Sequence, residues 1–258
     1  MFQEEFLAVT QAADKKIQFS TTNPFGYFLA SMLAGAYVGI GILLIFSVGG
    51  ALNAAGSPFT KIAMGLAFGI ALSLVIIAGS ELFTGNVFVM TAGLLRRTVR
   101  PGKATVLMLL CYAGNLAGSI LTGVLFYLSG LATGATGTFI ASVSETKMSL
   151  PVGDLFFRAV LCNILVCLAV WSAYRLKSES AKLIMVFWCL FAFITTGLEH
   201  SVANMTLLTI ALLAPAEATV SLSGYLYNIL IVTLGNIVGA SLFLAIPYHI
   251  IAGKKKEV

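Results

Sequence analysis

Charged side chains are scarce in this sequence, which has only 15 basic and 10 acidic residues among 258. A soluble domain of average composition has about 25% charged residues, whereas this chain has 10%. So few charges cannot cover a water-exposed surface, which excludes a soluble globular enzyme. The apolar content of 59% excludes a disordered chain as well. The class that remains is a helical protein with several membrane spans.

Histidine and cysteine, the residues of metal centres and nucleophilic catalysis, are also few. The two histidines, His200 and His249, are far apart in the sequence. All four cysteines lie inside apolar runs, and no pair of cysteines or histidines has the spacing of metal ligands. The sequence has no phosphate-binding glycine loop either. We therefore expect no metal, no cofactor and no enzymatic activity.

Long uncharged runs predict six membrane spans. Four of them have the roughly 20 apolar residues that a bilayer core of about 30 Å requires, near 26–50, 104–130, 154–174 and 224–248. Two further regions are interrupted by polar residues, so that a longer apolar stretch precedes a short piece, at 61–79 with 87–95 and at 183–198 with 205–213. A short piece of about nine residues reaches only half-way across a bilayer. We therefore predict that the second and fifth spans are broken helices, whose irregular backbone faces protein or a wet cavity.

Two short motifs recur at nearly the same offset. Glu81 and Glu199 are 118 residues apart in similar surroundings, and Asn115 and Asn236 are 121 residues apart. The chain therefore divides into two halves of three spans each, about 25–130 and 153–250. An odd number of spans in each half forces opposite orientations, which defines a 3+3 inverted repeat with its site where the two broken helices meet near the midplane.

The two ends of the chain indicate topology. Apolar residues recur at three- or four-residue steps over 1–22, which predicts an amphipathic helix lying on the bilayer or on a neighbouring subunit. Residues 251–258 form a basic tail. With the N-terminus in the cytoplasm, the basic residues all lie on the cytoplasmic side except Lys61, Lys147 and Arg158. The positive-inside rule thus predicts a protein of the inner cell membrane with both termini cytoplasmic, and the net charge of +5 reflects this topology rather than nucleic-acid binding.

Three ionisable residues lie at the breaks, where a membrane-embedded charge is costly: Glu81, Glu199 and His200. The two glutamates occupy equivalent places in the two halves. We expect each to have a structural role, accepting hydrogen bonds from backbone N–H groups that the helix break leaves unpaired. His200 titrates near neutral pH, which favours a functional role over the alternative of a neutral core histidine bonded to a carbonyl or an asparagine.

The same breaks predict an anion site. Short apolar pieces starting at Val87 and Met205 present helix N-termini, with their partial positive charge, to the midplane. Thr84 and Asn204 supply neutral hydrogen-bond donors at that level. Lys147, in the predicted outer loop, raises the local anion concentration unless it is an ordinary solvated lysine.

Apolar residues near the breaks are candidates for pore constrictions, with plain core packing as the alternative. Two sets lie opposite each other in the predicted arrangement: Phe68, Leu72 and Phe193, and Leu82, Phe83 and Val166. Asn163, midway along the fourth span, needs a polar partner. It is either a pore residue or a hydrogen-bonding contact between helices.

Three stretches resemble signatures of the formate/nitrite transporter family: AGSELFTG at 78–85, AVLCNILVCLA at 159–169 and GLEHSVANM at 197–205. The resemblance covers about 5–250, and the chain as a whole looks closest to the hydrosulfide-channel branch. It implies a homopentamer of aquaporin-like protomers, each with its own pore for a small monovalent anion. Ile164 departs from the second signature, which leaves selectivity open.

The resemblance also assigns roles to individual residues. It implies that His200 is the central histidine, Lys147 the outer lysine, Asn163 the mid-pore asparagine and Thr84 the threonine of a flexible loop. The implied inner constriction consists of Phe68, Leu72 and Phe193. The implied outer constriction consists of Leu82, Phe83 and Val166.

We therefore predict a membrane channel for formate, nitrite or hydrosulfide, in which His200 and the dipoles of the broken helices stabilise or protonate the anion at mid-pore. A proton-coupled symporter of the same family is the first alternative. An aquaporin-like pore for neutral solutes is the second, although neither Asn86 nor Asn204 lies in an Asn-Pro-Ala motif. The sequence does not distinguish the three anions, and the bilayer and these anions are the expected partners.

Overall fold

The structure, a computed structural model, describes residues 1–253 and is almost entirely helical, with no strand in that part of the chain. Residues 254–258 of the predicted basic tail lie outside the described part. The α-helices are, in chain order, α1 (Gln3–Thr22), α2 (Pro24–Ala54), α3 (Thr60–Leu74), α4 (Phe83–Leu95), α5 (Pro101–Leu128), α6 (Gly134–Ser149), α7 (Val152–Arg175), α8 (Glu179–Thr196), α9 (Ser201–Leu213), α10 (Leu222–Ala240) and α11 (Ile246–Ala252). Two π-helical turns, Val75–Gly79 and Ser241–Ala245, extend α3 and connect α10 to α11.

Six helical stretches of residues 1–253 are long and apolar enough to cross a membrane. They correspond to the six predicted spans, and the chain is a multi-pass membrane protein. α4 and α9 have only 13 residues each, which is half a span. The spans are Pro24–Ala54, Thr60–Gly79, Pro101–Leu128, Val152–Arg175, Glu179–Thr196 and Leu222–Ala252.

The two halves repeat one order of elements, α1–α5 and α6–α10. In each half a short helix precedes a long span, an interrupted span with its half-helix, and a second long span. The two long spans of each half pack closely at glycines. A Cβ atom on Gly35 or Gly118 would overlap a carbonyl of the facing helix, and so would one on Gly235 or Gly239.

Helix α1 packs on its own chain. Phe6, Val9 and Ala13 form its buried face, with no exposed surface, and this face lies against α4. The apolar face that was expected to lie on the bilayer or on a neighbouring subunit is thus covered by the chain's own half-helix. The reason is that α4, although only half a span long, is apolar on nearly all sides and needs a cover.

Two further boundaries differ from the predictions. The half-helices begin at Phe83 and Ser201, four residues before the predicted starts at Val87 and Met205. They begin early because asparagine side chains from other helices bind their first amides, as described below. Helix α6 occupies 134–149, where the sequence predicted a loop, so that Lys147 lies in the last turn of a helix.

Candidate functional site

The first interrupted span breaks at a three-residue extended segment. Gly79, with φ 78°, ends the helix in the left-handed conformation that glycine adopts without strain. The N–H of Glu81 then donates to the carbonyl of Ala30 (3.2 Å). The side chain of Asn115 completes the break: its Nδ2 donates to the Glu81 carbonyl (2.9 Å), and its Oδ1 accepts from the N–H of Phe83 (2.8 Å). One buried amide thus satisfies both sides of the break.

The second break repeats this arrangement. Gly197 also has φ 78°, and the N–H of Glu199 donates to the carbonyl of Arg158 (3.4 Å). Asn236 donates through Nδ2 to the Glu199 carbonyl (3.0 Å) and accepts at Oδ1 from the N–H of Ser201 (3.0 Å). The repeat is therefore a repeat of hydrogen bonds as well as of sequence.

The two glutamates do not bind the backbone amides as predicted, because the asparagines already occupy those donors. In the described residues the carboxylates instead accept from side chains. Glu81 accepts from Lys16 Nζ (2.6 Å) and Asn86 Nδ2 (2.8 Å), and also from the hydroxyl of Tyr27 (3.1 Å). Glu199 accepts from Lys147 Nζ (2.7 Å) and Asn204 Nδ2 (2.7 Å). Each break therefore carries a lysine–glutamate–asparagine cluster.

Three predicted pore residues have their polar groups engaged within the protein. Asn204 donates to Glu199 and to Oδ1 of Asn228 (2.8 Å), so that neither of its N–H groups is left for a solute. Lys147 is held by Glu199 at the edge of a cavity, with its side chain 17% exposed. Asn163 is fully buried and donates to two backbone carbonyls, those of Thr84 and Asn236. Asn163 therefore has the geometry of a hydrogen-bonding contact between helices, which was the alternative to its role as a pore residue.

Thr84 and His200 meet where the two breaks approach each other. The hydroxyl of Thr84 lies 2.8 Å from Nε2 of His200. On the other side of the ring, Nδ1 accepts from the backbone N–H of Ala203 (3.2 Å), because His200 is the N-cap of α9. A nitrogen that accepts an N–H carries no proton. The proton of the ring is therefore on Nε2, which donates to Thr84, and the imidazole is neutral in this arrangement.

Two cavities approach this pair from opposite ends of the spans. The α1-side cavity has a volume of 430 Å³ and is lined by Lys16, Glu81 and Lys182. The α6-side cavity has a volume of 150 Å³ and is lined by Lys61, Lys147 and His200. Each cavity thus contains two lysines, of which one is held by the glutamate of the nearby break, and Lys182 is also paired, with Glu179.

A narrow space lies between the two cavities. Its volume of 10 Å³ is at most that of one water molecule. The rings of Phe68 and Phe193 meet there edge to face, with their centroids 5.3 Å apart. His200 is the polar residue of its lining, which also includes Phe68, Leu72, Leu82, Val166 and Phe193. We call this space the constriction.

The structure corrects the two implied constrictions. Leu72 and Leu82 also line the α1-side cavity, whereas Phe193 also lines the α6-side cavity. With the N-terminus in the cytoplasm, Leu82 is therefore on the inner side and Phe193 on the outer side, the reverse of the expectation. Phe83 does not line the constriction. Successive helical residues point about 100° apart, and its ring packs on Tyr112 (centroids 4.8 Å apart) in a separate space.

This separate space, the lateral groove, lies between α4, α5 and α10 and has a volume of 480 Å³. Phe83, Pro101, Thr105, Tyr112 and Leu230 are among the residues that line it.

Three residues of these clusters, Lys16, Tyr27 and Asn228, have roles that were not predicted from the sequence. Lys16 was considered only as one of the basic residues that indicate topology. It binds Glu81, however, as Lys147 binds Glu199. The signal that identifies it is the repeat itself. Lys16 shortly precedes the first span of its half, as Lys147 does in the other half. Tyr27 and Asn228 carry no comparable signal in the sequence.

These features define a class, that of membrane transport proteins built as an inverted repeat around two interrupted spans. The chain belongs to one family of this class: the formate/nitrite transporter model matches residues 3–250. Members of this family are channels and transporters of small anions and not enzymes.

Individual relatives agree with this membership. The nitrite transporter NirC of Salmonella typhimurium is 41% identical over 249 residues, which is 96% of this chain and 91% of that protein. A probable formate transporter of Methanothermobacter thermautotrophicus is 38% identical over 243 residues, 84% of this chain and 85% of that protein.

Solved structures agree as well. An FNT family ion channel superposes with a TM-score of 0.90 at 39% identity, covering 96% of this chain and 98% of that one. A pentameric formate channel with formate bound superposes with a TM-score of 0.77 at 27% identity, covering 89% and 98%.

Proposed function

We propose that this protein is a channel of the inner cell membrane for small monovalent anions, and that solutes pass from one cavity to the other through the constriction of each protomer. The observation that carries the proposal is the Thr84–His200 pair, a polar contact at the meeting point of two lysine-lined cavities. Relatives named for nitrite and formate transport support anions of this size. Hydrosulfide belongs to the same set of candidates.

The charges around the passage favour negative solutes. α4 and α9 begin next to the constriction, and the N-terminal end of a helix carries about half a positive charge. Lys61 at the α6-side cavity has no ion pair in residues 1–253 and adds a positive potential at that entrance, which concentrates anions there, whereas Lys16 and Lys182 at the α1-side cavity are each paired with a glutamate. Glu81 and Glu199 do not oppose this effect, because each is neutralised by a lysine at 2.7 Å or less.

His200 acts in this proposal as a hydrogen-bond donor rather than as an acid. Its only ring proton, on Nε2, is directed at Thr84, and giving it away would leave a buried imidazolate. A passing solute instead exchanges hydrogen bonds with this N–H and with the Thr84 hydroxyl. The proton that converts formate, nitrite or hydrosulfide to its neutral acid comes from water in the cavities.

The apolar constriction favours the neutral form. A bare anion loses much of its hydration between Phe68, Leu72 and Phe193, and this loss is far more costly for a charge than for a neutral polar molecule. Passage of the neutral acid carries one proton with each anion, which is the symport alternative. Passage of the ion alone carries net charge.

Assembly of the chain into a homopentamer is part of the proposal. One solved relative is a pentameric formate channel, and a homopentamer fits the apolar outer surfaces of α2 and α10, where large side chains such as Leu33 and Leu226 are exposed. Both termini face the cytoplasm in this arrangement, as the basic residues indicate.

The test is uptake by proteoliposomes of formate, nitrite and hydrosulfide, each with and without a pH gradient and a membrane potential. Uptake driven by the potential alone indicates passage of the ion, and uptake driven by the pH gradient indicates passage with a proton. Stopped-flow permeability to water and glycerol distinguishes the aquaporin-like alternative. No uptake of any of the three anions would refute the proposed function.

A further inference from the structure

The lateral groove has no part in the proposed pathway. Phe83 lines it from α4, Tyr112 from α5 and Leu230 from α10, and the constriction shares none of these side chains. Its internal polar groups are paired with one another: the hydroxyls of Tyr112 and Thr233 are 2.9 Å apart, and those of Thr91 and Ser241 are 3.0 Å apart. A groove without an unmatched polar group suits an apolar occupant.

The groove has the depth of one bilayer leaflet. On α5 its lining extends from Pro101 to Tyr112, which is about 16 Å at the helical rise of about 1.5 Å per residue. Half of a hydrocarbon core of about 30 Å is nearly the same length. The groove therefore has room for an acyl chain from the interface to the midplane.

The interfacial end of the groove is basic. Leu94 and Pro101 both line the groove there, and the loop 96–100 that connects their helices closes this end. The loop contains three arginines and no acidic residue. Arg96 is engaged, since it donates to the Gly253 carbonyl and lies over the ring of Phe6.

The other two arginines of the loop are free of carboxylates. Arg97 and Arg100 are exposed, and neither forms an ion pair with any carboxylate of residues 1–253. Arginine binds phosphate oxygens through charged, often bidentate hydrogen bonds. The interfacial end of an apolar groove therefore carries two unmatched positive charges at the level of the lipid headgroups.

From this arrangement we propose that the lateral groove binds an anionic phospholipid, with one acyl chain in the groove and the headgroup at Arg97 and Arg100. A phospholipid matches both ends at once, because its apolar chain and its phosphate are covalently joined. A bound lipid contacts the half-helix that carries the pore threonine: the ring of Phe83 forms the deep end of the groove, and the next residue, Thr84, binds His200.

Native mass spectrometry of the intact, detergent-solubilised protein tests this proposal. The probes are phosphatidylglycerol and phosphatidylcholine of identical chains, added in equal amounts. We expect phosphatidylglycerol to bind preferentially, at up to one molecule per protomer. The double variant Arg97→Gln/Arg100→Gln loses two charges, each worth roughly fivefold in affinity near an anionic headgroup, and so binds roughly 25-fold more weakly.

Two matched pairs of variants separate the groove from the general surface. Lys103→Gln removes an exposed charge about 100° or more around α5 from the groove-lining residues Pro101, Ala104 and Thr105, and retains phosphatidylglycerol binding. Thr105→Trp fills the groove and loses binding, whereas Val106→Trp, on the neighbouring exposed position outside the groove, retains it.

Two results would overturn the proposal. The first is equal binding of the two lipids by the wild-type protein, or undiminished binding by Thr105→Trp. The second is dissociation of the oligomer by Thr105→Trp with no lipid lost from the protomer, because the groove would then be a contact between copies of the chain. The mass spectrum reports lipid number and subunit number together.

Discussion

Thr84 Oγ1 lies 2.8 Å from Nε2 of His200, so that one buried hydrogen bond joins the first turns of two half-helices from opposite halves of the chain. The two residues are 116 positions apart. The bond closes the junction between the halves at the constriction, where the two cavities approach each other. In the proposed pathway a solute passes His200, the member of this pair that lines the constriction.

Replacing the imidazole tests the role of this bond. In His200→Ala, the Thr84 hydroxyl loses its partner and the Ala203 N–H loses its cap. The loss of one such bond to a solute costs about 1.4 kcal/mol, so we expect anion uptake by proteoliposomes to fall roughly tenfold. His200→Asn keeps a polar side chain at the same place and is expected to recover part of the uptake.

The pH dependence of the same variants distinguishes a hydrogen-bond donor from an acid. Wild-type uptake rises as the external pH falls, because more of the solute is then the neutral acid. If His200 is neutral, His200→Ala lowers uptake at every pH and leaves the shape of the profile unchanged. A flattened profile would contradict this. His249→Ala, at the other histidine of the chain and outside both cavities, is the control for uptake.

The aromatic pair of the constriction limits the size of the solute. Phe68 and Phe193 meet edge to face at 5.3 Å, and Phe193→Leu widens the gap without adding polarity. We expect uptake of acetate to rise severalfold relative to formate. Phe83→Leu is the matched control, since this ring packs in the lateral groove, and its ratio of acetate to formate uptake stays at the wild-type value. A changed ratio of acetate to formate uptake in Phe83→Leu would show that Phe83 does line the pathway.

Much of the fold follows directly from the sequence. Hydropathy alone defines six spans, because only an apolar helix of about 20 residues crosses a bilayer. The repeated motifs around Glu81 and Glu199 identify two equivalent halves. The glycines that let paired spans approach also stand at matched positions, such as Gly118 and Gly239.

The site was harder to predict, because its contacts join residues that are distant in the chain. The start of α4 depends on a side-chain oxygen of Asn115, 32 positions later, and no local pattern reports such a cap. Lys16 reaches Glu81 over 65 positions. Phe83 was misplaced because its neighbour Leu82 lines the constriction, whereas α4 begins at Phe83 and the Phe83 ring packs on Tyr112 in the lateral groove.

The buried ion pair of the α6-side cavity is expected to matter for stability. Lys147→Met leaves the carboxylate of Glu199, whose side chain is 3% exposed, without its lysine. Removing one partner of a buried pair costs about 3–5 kcal/mol, so we expect a clearly lower unfolding temperature in detergent. The double variant Lys147→Met/Glu199→Gln removes both charges and regains most of that loss.

The control is Lys61→Met, in the same cavity but without an ion pair in residues 1–253, which changes stability little. Failure of the double variant to recover would show that the pair is not the cause.

The asparagines at the breaks are expected to be the most sensitive positions of the scaffold. Asn115→Leu keeps the approximate volume but removes an acceptor from Phe83 N–H and donors from the carbonyls of Ser31 and Glu81. Each buried group left unsatisfied costs about 1–3 kcal/mol, so the variant should unfold at a much lower temperature. Asn236→Leu makes the same test in the other half. Asn53→Ala, at an exposed position, is the control and should unfold as the wild type does. If Asn115→Leu proved as stable as Asn53→Ala, packing alone would have to stabilise the early start of α4. The equivalence of the two breaks would then no longer rest on their hydrogen bonds.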